Sequence, residues 1–142
     1  MATYAGAGRT SYFHVRDETA FIEAASAFGK VVHDEVLGFA VLSEDEGGAL
    51  EAQVGPRTVQ FADFVAPHLA NDNACVIMHA GFEGTRFISG WAVAVAWDGR
   101  RIELYTLDIY RMVEAQWPGV RATHATPYQP REALPDGERD AD

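Results

Sequence analysis

An Asp-Gly dipeptide between two apolar runs constrains the fold of this chain more than any other feature. Asp98-Gly99 joins residues 86–97 to residues 100–106, and such a spacing predicts a β-hairpin with a type I′ turn, in which both central residues have positive φ. Another apolar run, residues 74–80, precedes the hairpin, and a helical pattern over residues 107–117 follows it. The whole stretch is therefore expected to fold as strand, hairpin and helix.

Weaker patterns of the same kinds fill the rest of the chain. Asp17 is suited to cap a helix that runs to Phe28 and ends at Gly29. Pro67 should kink or shorten a second helix. Strand patterns cover residues 11–15, 30–34, 37–43 and 50–54, and residues 59–69 begin like a strand and continue like a helix. This order predicts a single α+β domain with a mostly antiparallel sheet, two or three covering helices, and a C-terminal β-hairpin followed by a helix.

The domain boundaries follow from composition. Residues 1–10 are small and contain glycine, which predicts a flexible lead-in. Residues 11–117 hold the strand and helix patterns of the domain. Four of the six prolines fall in residues 118–142 among polar and acidic residues, which predicts a mobile tail.

The long strand of the hairpin has one large face and one small face. Its large side chains are Trp91, Val93, Val95 and Trp97, and alanines alternate with them. We expect helices or a second surface to lie against the alanine side. The spacing of Trp117 relative to the hairpin predicts that the last helix packs on the hairpin as well.

Charge excludes some functions and favours others. The net charge is −10 and Lys30 is the only lysine, which disfavours direct binding to DNA or RNA. Residues 32–54 contain no Lys or Arg. The predicted partner-binding residues are the six acids of this segment: Asp34, Glu35, Glu44, Asp45, Glu46 and Glu51. An acidic surface of this kind serves solubility or binds a basic protein surface.

Few features indicate catalysis or a metal. Cys75 is the only cysteine, so it forms no internal disulfide, and a strand would separate it from His79 by about 13 Å. The five histidines show no metal-binding spacing, and the glycine pairs at Gly6 and Gly81 read as turns rather than phosphate loops. We predict no catalytic residue, no metal and no cofactor. With no apolar run of membrane-spanning length and no secretory signal, a cytoplasmic location without membrane association is expected.

Four short stretches carry a resemblance to a known group. Residues 11–15, 42–48, 64–69 and 90–95 resemble small acidic accessory proteins of bacterial plasmids and integrative mobile elements, although Pro67 departs from the helix-forming residues expected there. The shared motifs are structural, so the resemblance assigns no activity to any residue. It implies a setting in which counter-defence proteins, of the anti-CRISPR or anti-restriction type, are found.

Two hypotheses from different classes remain open. The favoured one is a non-enzymatic, acidic inhibitor that occupies a basic nucleic-acid-binding surface of a partner, such as a host defence protein. The alternative is a small enzyme or ligand-binding domain with a site built from dispersed His and carboxylate residues. A continuous acidic face would favour the first, and an apolar pocket with converging His and carboxylate groups would favour the second. A homodimer is compatible with either.

Overall fold

A six-stranded sheet with every neighbouring pair antiparallel organises the protein, in a computed structural model that describes residues 4–83 and 87–122. In chain order the elements are β1 (Ala5–Thr10), α1 (Glu18–Ala25), β2 (Lys30–Asp34), β3 (Gly38–Leu42), β4 (Glu51–Val54), β5 (Arg57–Gln60), α2 (Phe61–Phe64), a 3-10 helix (Ala66–His68), β6 (Ala74–Glu83), β7 (Phe87–Ala96), β8 (Arg101–Tyr105) and α3 (Asp108–Gln116). The sheet order is β2-β3-β1-β6-β7-β8, and β4 pairs with β5 in a separate hairpin. The predicted single α+β domain is confirmed.

The first strand is the main correction to the sequence analysis. β1 lies between β3 and β6 and pairs with β6 from Ala5 to Thr10, so the predicted lead-in over residues 1–10 is wrong for these six residues. Residues 11–15, predicted as the first strand, contribute only isolated bridges from Phe13 and Val15. Glycine and alanine have low strand propensity, and β1 forms because partners on both sides satisfy its backbone. Of the predicted tail, residues 123–142 lie outside the described residues.

The predicted C-terminal hairpin forms, but its turn differs from the expected one. Ala96 pairs with Arg100, and its N–H donates to the Arg100 carbonyl at 2.8 Å. The connection therefore has three residues, of which only Gly99 has positive φ, at 92°. This is the pattern of a type I turn followed by a left-handed residue, which is also common in β-hairpins. The type I′ prediction is wrong because it counted Trp97 as part of the strand.

Replacing Gly99 by valine is expected to lower the free energy of unfolding by about 1 kcal/mol or more, because a β-branched residue is strained at positive φ. Among the described residues, no atom beyond the two chain neighbours lies within 4 Å of the added Cβ, so the loss measures backbone strain and not a clash. Thermal denaturation of the purified variant tests this. A melting temperature equal to that of the wild type would contradict the assigned turn.

The core fills one face of the sheet. The largest buried side chains there are five phenylalanines, namely Phe13, Phe21, Phe28, Phe39 and Phe61. α1 covers this face with Phe21 and Ala25, and it begins as predicted at Asp17, whose carboxylate accepts the Ala20 N–H at 3.0 Å. The helix ends at Ala25 rather than Phe28. Phe28 still reaches the core, with its ring 4.5 Å from that of Phe64.

Pro67 has the effect predicted for it. α2 ends after a single turn at Phe64, and the chain continues as the 3-10 helix Ala66–His68, with the proline at its start. A proline is accommodated there because the first residues of a helix have no partner for their N–H groups. The short helix still buries Phe61, and Val65 and Leu69 extend the same core.

No helix of the described residues covers the other face of the sheet, which reverses the expectation for β7. Val93 and Val95 are buried in the core, and Trp91 and Trp97 pack against it, so the alanine side faces outward. Its exposed apolar side chains are Met78, Phe82, Ile88, Ile102 and Leu104, a set that we call the outer face. α3 buries none of its residues, and Trp117 is 60% exposed. The predicted packing of the last helix on the hairpin is therefore wrong for Trp117.

Candidate functional site

The acidic residues 44–46 belong to a loop that the fold holds rigidly. This acidic loop, residues 43–49, follows β3 and lies across the core-facing side of β1. Its backbone bonds to β1 at two points: the Ser43 N–H donates to the Gly8 carbonyl at 2.9 Å, and the Gly6 N–H donates to the Glu46 carbonyl at 2.9 Å. The loop is thus attached to a central strand of the sheet.

Two glycines of β1 make this attachment possible. A Cβ at Gly6 would overlap the carbonyl oxygen of Gly47, and a Cβ at Gly8 would overlap that of Gly48. Glycine is the residue that lets two backbones approach this closely. The Gly6 pair, which reads from sequence as part of a turn, is in fact a strand segment that accepts the loop.

His79, on the neighbouring strand β6, binds the acidic loop. Its Nε2 lies 2.9 Å from the Gly47 carbonyl oxygen, and since a carbonyl only accepts, Nε2 carries the proton. The imidazole is stacked between two aromatic rings, with Trp91 at 5.3 Å and Tyr4 at 6.4 Å between centroids. Nδ1 is buried and has no hydrogen-bond partner among the described residues. His79 therefore has a positioning role for the loop.

Hydrogen bonds within the loop fix its shape. The Ser43 hydroxyl donates to the Ala49 carbonyl at 2.7 Å and accepts the Asp45 N–H at 3.1 Å. The Asp45 carboxylate accepts the Gly47 N–H at 2.8 Å. Glu44, Asp45 and Glu46 are all exposed. Three adjacent carboxylates thus face solvent from a backbone that is already ordered.

The other three predicted acids lie elsewhere. Asp34 and Glu35 are at the opposite end of β3 from the acidic loop, about 13 Å away along the strand. The Asp34 carboxylate accepts hydrogen bonds from the Leu37 and Val36 N–H groups, which close the β2–β3 turn and lower the pKa of this partly exposed carboxyl. Glu51 begins β4, where its carboxylate accepts the Gln60 amide at 3.0 Å. The six acids therefore form three groups rather than one continuous face.

The ion pairs of the described residues lie away from the acidic loop. The ion pairs of the described residues join Arg100 to Asp98, Arg101 to Asp63 and to Glu103, and Arg111 to Asp108. None of these pairs includes any of the six acids, and three of them involve the β7–β8 hairpin or β8 at one edge of the sheet. At the opposite edge, Lys30 offsets one negative charge of the β2–β3 region. The acidic loop keeps its charge unpaired within the described chain.

A small cavity adjoins the acidic loop. It has a volume of about 220 Å³ and is lined by residues 48–51, 60–62 and 77–79 together with Trp91. His79 and Glu51 both border it, but each already has a partner, Gly47 and Gln60 respectively. The cavity is smaller than the ~300–1,000 Å³ usual for ligand sites.

Cys75 is a core residue in this structure. It is fully buried on the core face of β6, and burial raises the pKa of its thiol to about 12. The thiolate needed for nucleophilic attack is therefore disfavoured. In residues 4–83 and 87–122, no three His, Cys, Asp or Glu side chains are grouped so that they could hold a metal ion, and no helix there is long and apolar enough to span a bilayer.

Comparisons with protein-family models, with curated proteins and with solved structures find no match. A partner-binding role for residues 44–46 stays a prediction, and the sequence analysis did not find Gly6, Gly8 and His79, which hold this loop on the sheet. The sequence does contain an indication of this contact, because it has two glycine-containing stretches, Gly6-Ala7-Gly8 and Gly47-Gly48. Glycine on both sides is what allows two backbones to approach closely.

Proposed function

We propose that this protein is a non-enzymatic, acidic inhibitor that binds another protein and occupies its basic, nucleic-acid-binding surface. The acidic loop carries the proposal: three exposed carboxylates on an ordered backbone, with no ion pair among the described residues. Asp34, Glu35 and Glu51 lie outside this loop. They contribute to the overall negative field.

The ordered backbone of the loop supports binding in two ways. A loop that is already rigid loses little conformational entropy when it binds, so more of the interaction energy appears as affinity. Unpaired surface carboxylates also steer a basic partner toward the loop and raise the association rate. This pattern of acids mimics the charge of a nucleic-acid backbone, so the partner class is a nucleic-acid-binding protein.

The setting of this activity follows from the resemblance to accessory proteins of mobile elements. A host defence protein that holds DNA or RNA has the basic surface required, and an inhibitor of it would act as an anti-CRISPR or anti-restriction factor in the bacterial cytoplasm. The net charge of −10 opposes direct contact between this protein and nucleic acid.

The test removes the charge of the loop while keeping its shape. The variant Glu44→Gln, Asp45→Asn, Glu46→Gln retains an oxygen acceptor for the Gly47 N–H. The wild-type chain serves as bait in a bacterial lysate at low salt, and basic proteins that it captures are identified by mass spectrometry. We expect association with a captured partner at low salt to be at least ~10-fold slower for the variant, and to depend less on salt.

A matched control removes three charges elsewhere. Glu18→Gln, Glu23→Gln and Glu114→Gln alter exposed acids of α1 and α3 and change the net charge by the same amount. This control is expected to associate at nearly the wild-type rate. Equal low-salt rates for the wild type and the loop variant would refute recognition by the acidic loop.

The alternative, a ligand-binding domain or small enzyme, has one supporting observation, which is that His79 and Glu51 border the same cavity. Both groups have structural partners and the cavity is small, so the geometry supports this function less well. Binding of a small molecule that quenches the fluorescence of Trp91, and is lost in Glu51→Ala, would favour it.

A further inference from the structure

The edge strand β8 has a backbone pattern suited to pairing with another strand. All five of its residues are exposed, and within residues 4–83 and 87–122 its only partner strand is β7. The Ala96 N–H donates to the Arg100 carbonyl and the Thr106 N–H to the Gly90 carbonyl, both at 2.8 Å. Because hydrogen-bonded pairs alternate in antiparallel ladders, Arg101, Glu103 and Tyr105 direct their N–H and C=O groups away from β7.

One of these outward groups is already occupied. The Tyr105 N–H donates to the Asp108 carboxylate at 2.9 Å, which closes that end of the edge. Within the described chain, Arg101 and Glu103 are left with both backbone groups directed outward. They are two residues apart, which is the spacing at which two antiparallel strands form consecutive hydrogen-bonded pairs.

We infer that a second copy of this chain pairs with β8 in antiparallel orientation, with the two-fold axis beside Ile102. In this register Arg101 of each copy lies opposite Glu103 of the other. Four backbone hydrogen bonds join the strands, two at each Arg101–Glu103 pair. The two Ile102 residues face each other between them, and the two sheets become one.

Charge complementarity selects this register. Arg101 and Glu103 are on the same face of β8, where they form an ion pair at 3.0 Å, so each copy presents one positive and one negative group to the other. Opposite charges on facing residues stabilise an antiparallel pair, and like charges destabilise it. A register centred on Glu103 would place two carboxylates opposite each other and would need the Tyr105 N–H that Asp108 holds.

Apolar burial acts in the same direction. Ile102 is 73% exposed and Leu104 60% exposed on the outer face, and pairing covers the Ile102 side chain with its counterpart. Edge strands of monomeric proteins are usually protected from pairing by lysine, proline or a bulge. β8 contains neither lysine nor proline, and its two charges are complementary to a second copy.

The test is a charge reversal with rescue. Sedimentation equilibrium of the full 142-residue chain should give a mass of twice 15.5 kDa. Glu103→Arg and Arg101→Glu each place like charges opposite each other and should raise the dimer dissociation constant at least ~10-fold. The double variant restores opposite charges across the pair and should bind more tightly than either single variant, although it also loses the Arg101–Asp63 ion pair. Circular dichroism confirms that each variant is folded.

The matched control for Glu103→Arg makes the same change of net charge at the opposite edge of the sheet. Glu35→Arg is exposed in the β2–β3 turn and should leave the dimer unchanged. A wild-type chain with the mass of one copy at its highest soluble concentration would overturn the inference. A dimer that is equally stable in the wild type, the two single variants and the double variant would also overturn it. That result would place the interface on the outer face or α3.

Disulfide trapping supplies a second measurement. Facing residues of a pair without hydrogen bonds have Cα atoms about 4.5 Å apart, which a disulfide can bridge, so Ile102→Cys should form a covalent dimer under mild oxidation. Leu104→Cys is the control, because its thiols would lie about 13 Å apart along the strands. Cys75 is buried and does not compete. Equal trapping at both positions would overturn the register. The inference does not rest on the proposed inhibitor activity, which uses the acidic loop on β1, a strand separated from β8 by β6 and β7.

Discussion

Replacing Phe21 by alanine is expected to destabilise the protein by about 3–5 kcal/mol, the range for removing a fully buried aromatic ring. Phe21 has no exposed surface, and its ring lies 5.5 Å from that of Phe13, 5.4 Å from Phe39 and 6.1 Å from His68. These partners come from three separate parts of the chain. The cavity left behind could be filled only by moving all of them, so the site relaxes little.

The neighbouring residue supplies the control. Ile22 occupies the same helix but is 43% exposed, and Ile22→Ala should change the free energy of unfolding by less than about 1 kcal/mol. Urea denaturation of both variants measures the difference. If Phe21→Ala lost no more stability than Ile22→Ala, α1 would not be packed on the sheet as described.

Replacing Gly8 by alanine is expected to lower the free energy of unfolding by about 3 kcal/mol or more. The added methyl group would overlap the Gly48 carbonyl oxygen, which is backbone and has no side-chain rotamer with which to move away. Either the acidic loop separates from β1, or β1 is displaced between β3 and β6. Both changes break hydrogen bonds of the central sheet.

Ala7→Val is the matched control for this substitution. Ala7 adjoins Gly8 but is exposed on the opposite side of β1, and valine is a better strand residue than alanine. We expect its stability to equal or exceed that of the wild type in the same urea titration. A Gly8→Ala protein as stable as Ala7→Val would show that the loop does not lie on β1.

The sequence predicted elements whose local pattern agrees with their tertiary role. Asp17 caps α1 because its side chain satisfies a helix N–H regardless of what the helix packs on. Gly99 marks the hairpin, and Pro67 ends α2, through backbone restrictions that act within a few residues. Each of these three features is fixed by its immediate neighbours in the chain.

The features that were missed depend on distant partners. The alternation of large and small side chains along β7 shows that its two faces differ, but not which face is covered. The alanine side was therefore expected to be covered, whereas it faces outward. β1 has a sequence of low strand propensity and forms because β3 and β6 bind it on both sides. The acidic residues were found by composition, whereas their division into three groups follows from the length of β3 and the path of the loop.

The position of β1 also governs how the chain can fold during synthesis. Its partners in the sheet are made much later: Arg9 pairs with Leu42, and Thr10 and Ala5 pair with Ile77 and Phe82. Pairings this distant in sequence form late and slowly, since the intervening chain must first be ordered. On the ribosome, β1 therefore lacks its β6 partner until residues 77–82 have left the exit tunnel, and before that only β3 is available to it. Throughout that interval the nascent chain exposes a strand edge and an uncovered aromatic core, the kind of surface that chaperones protect.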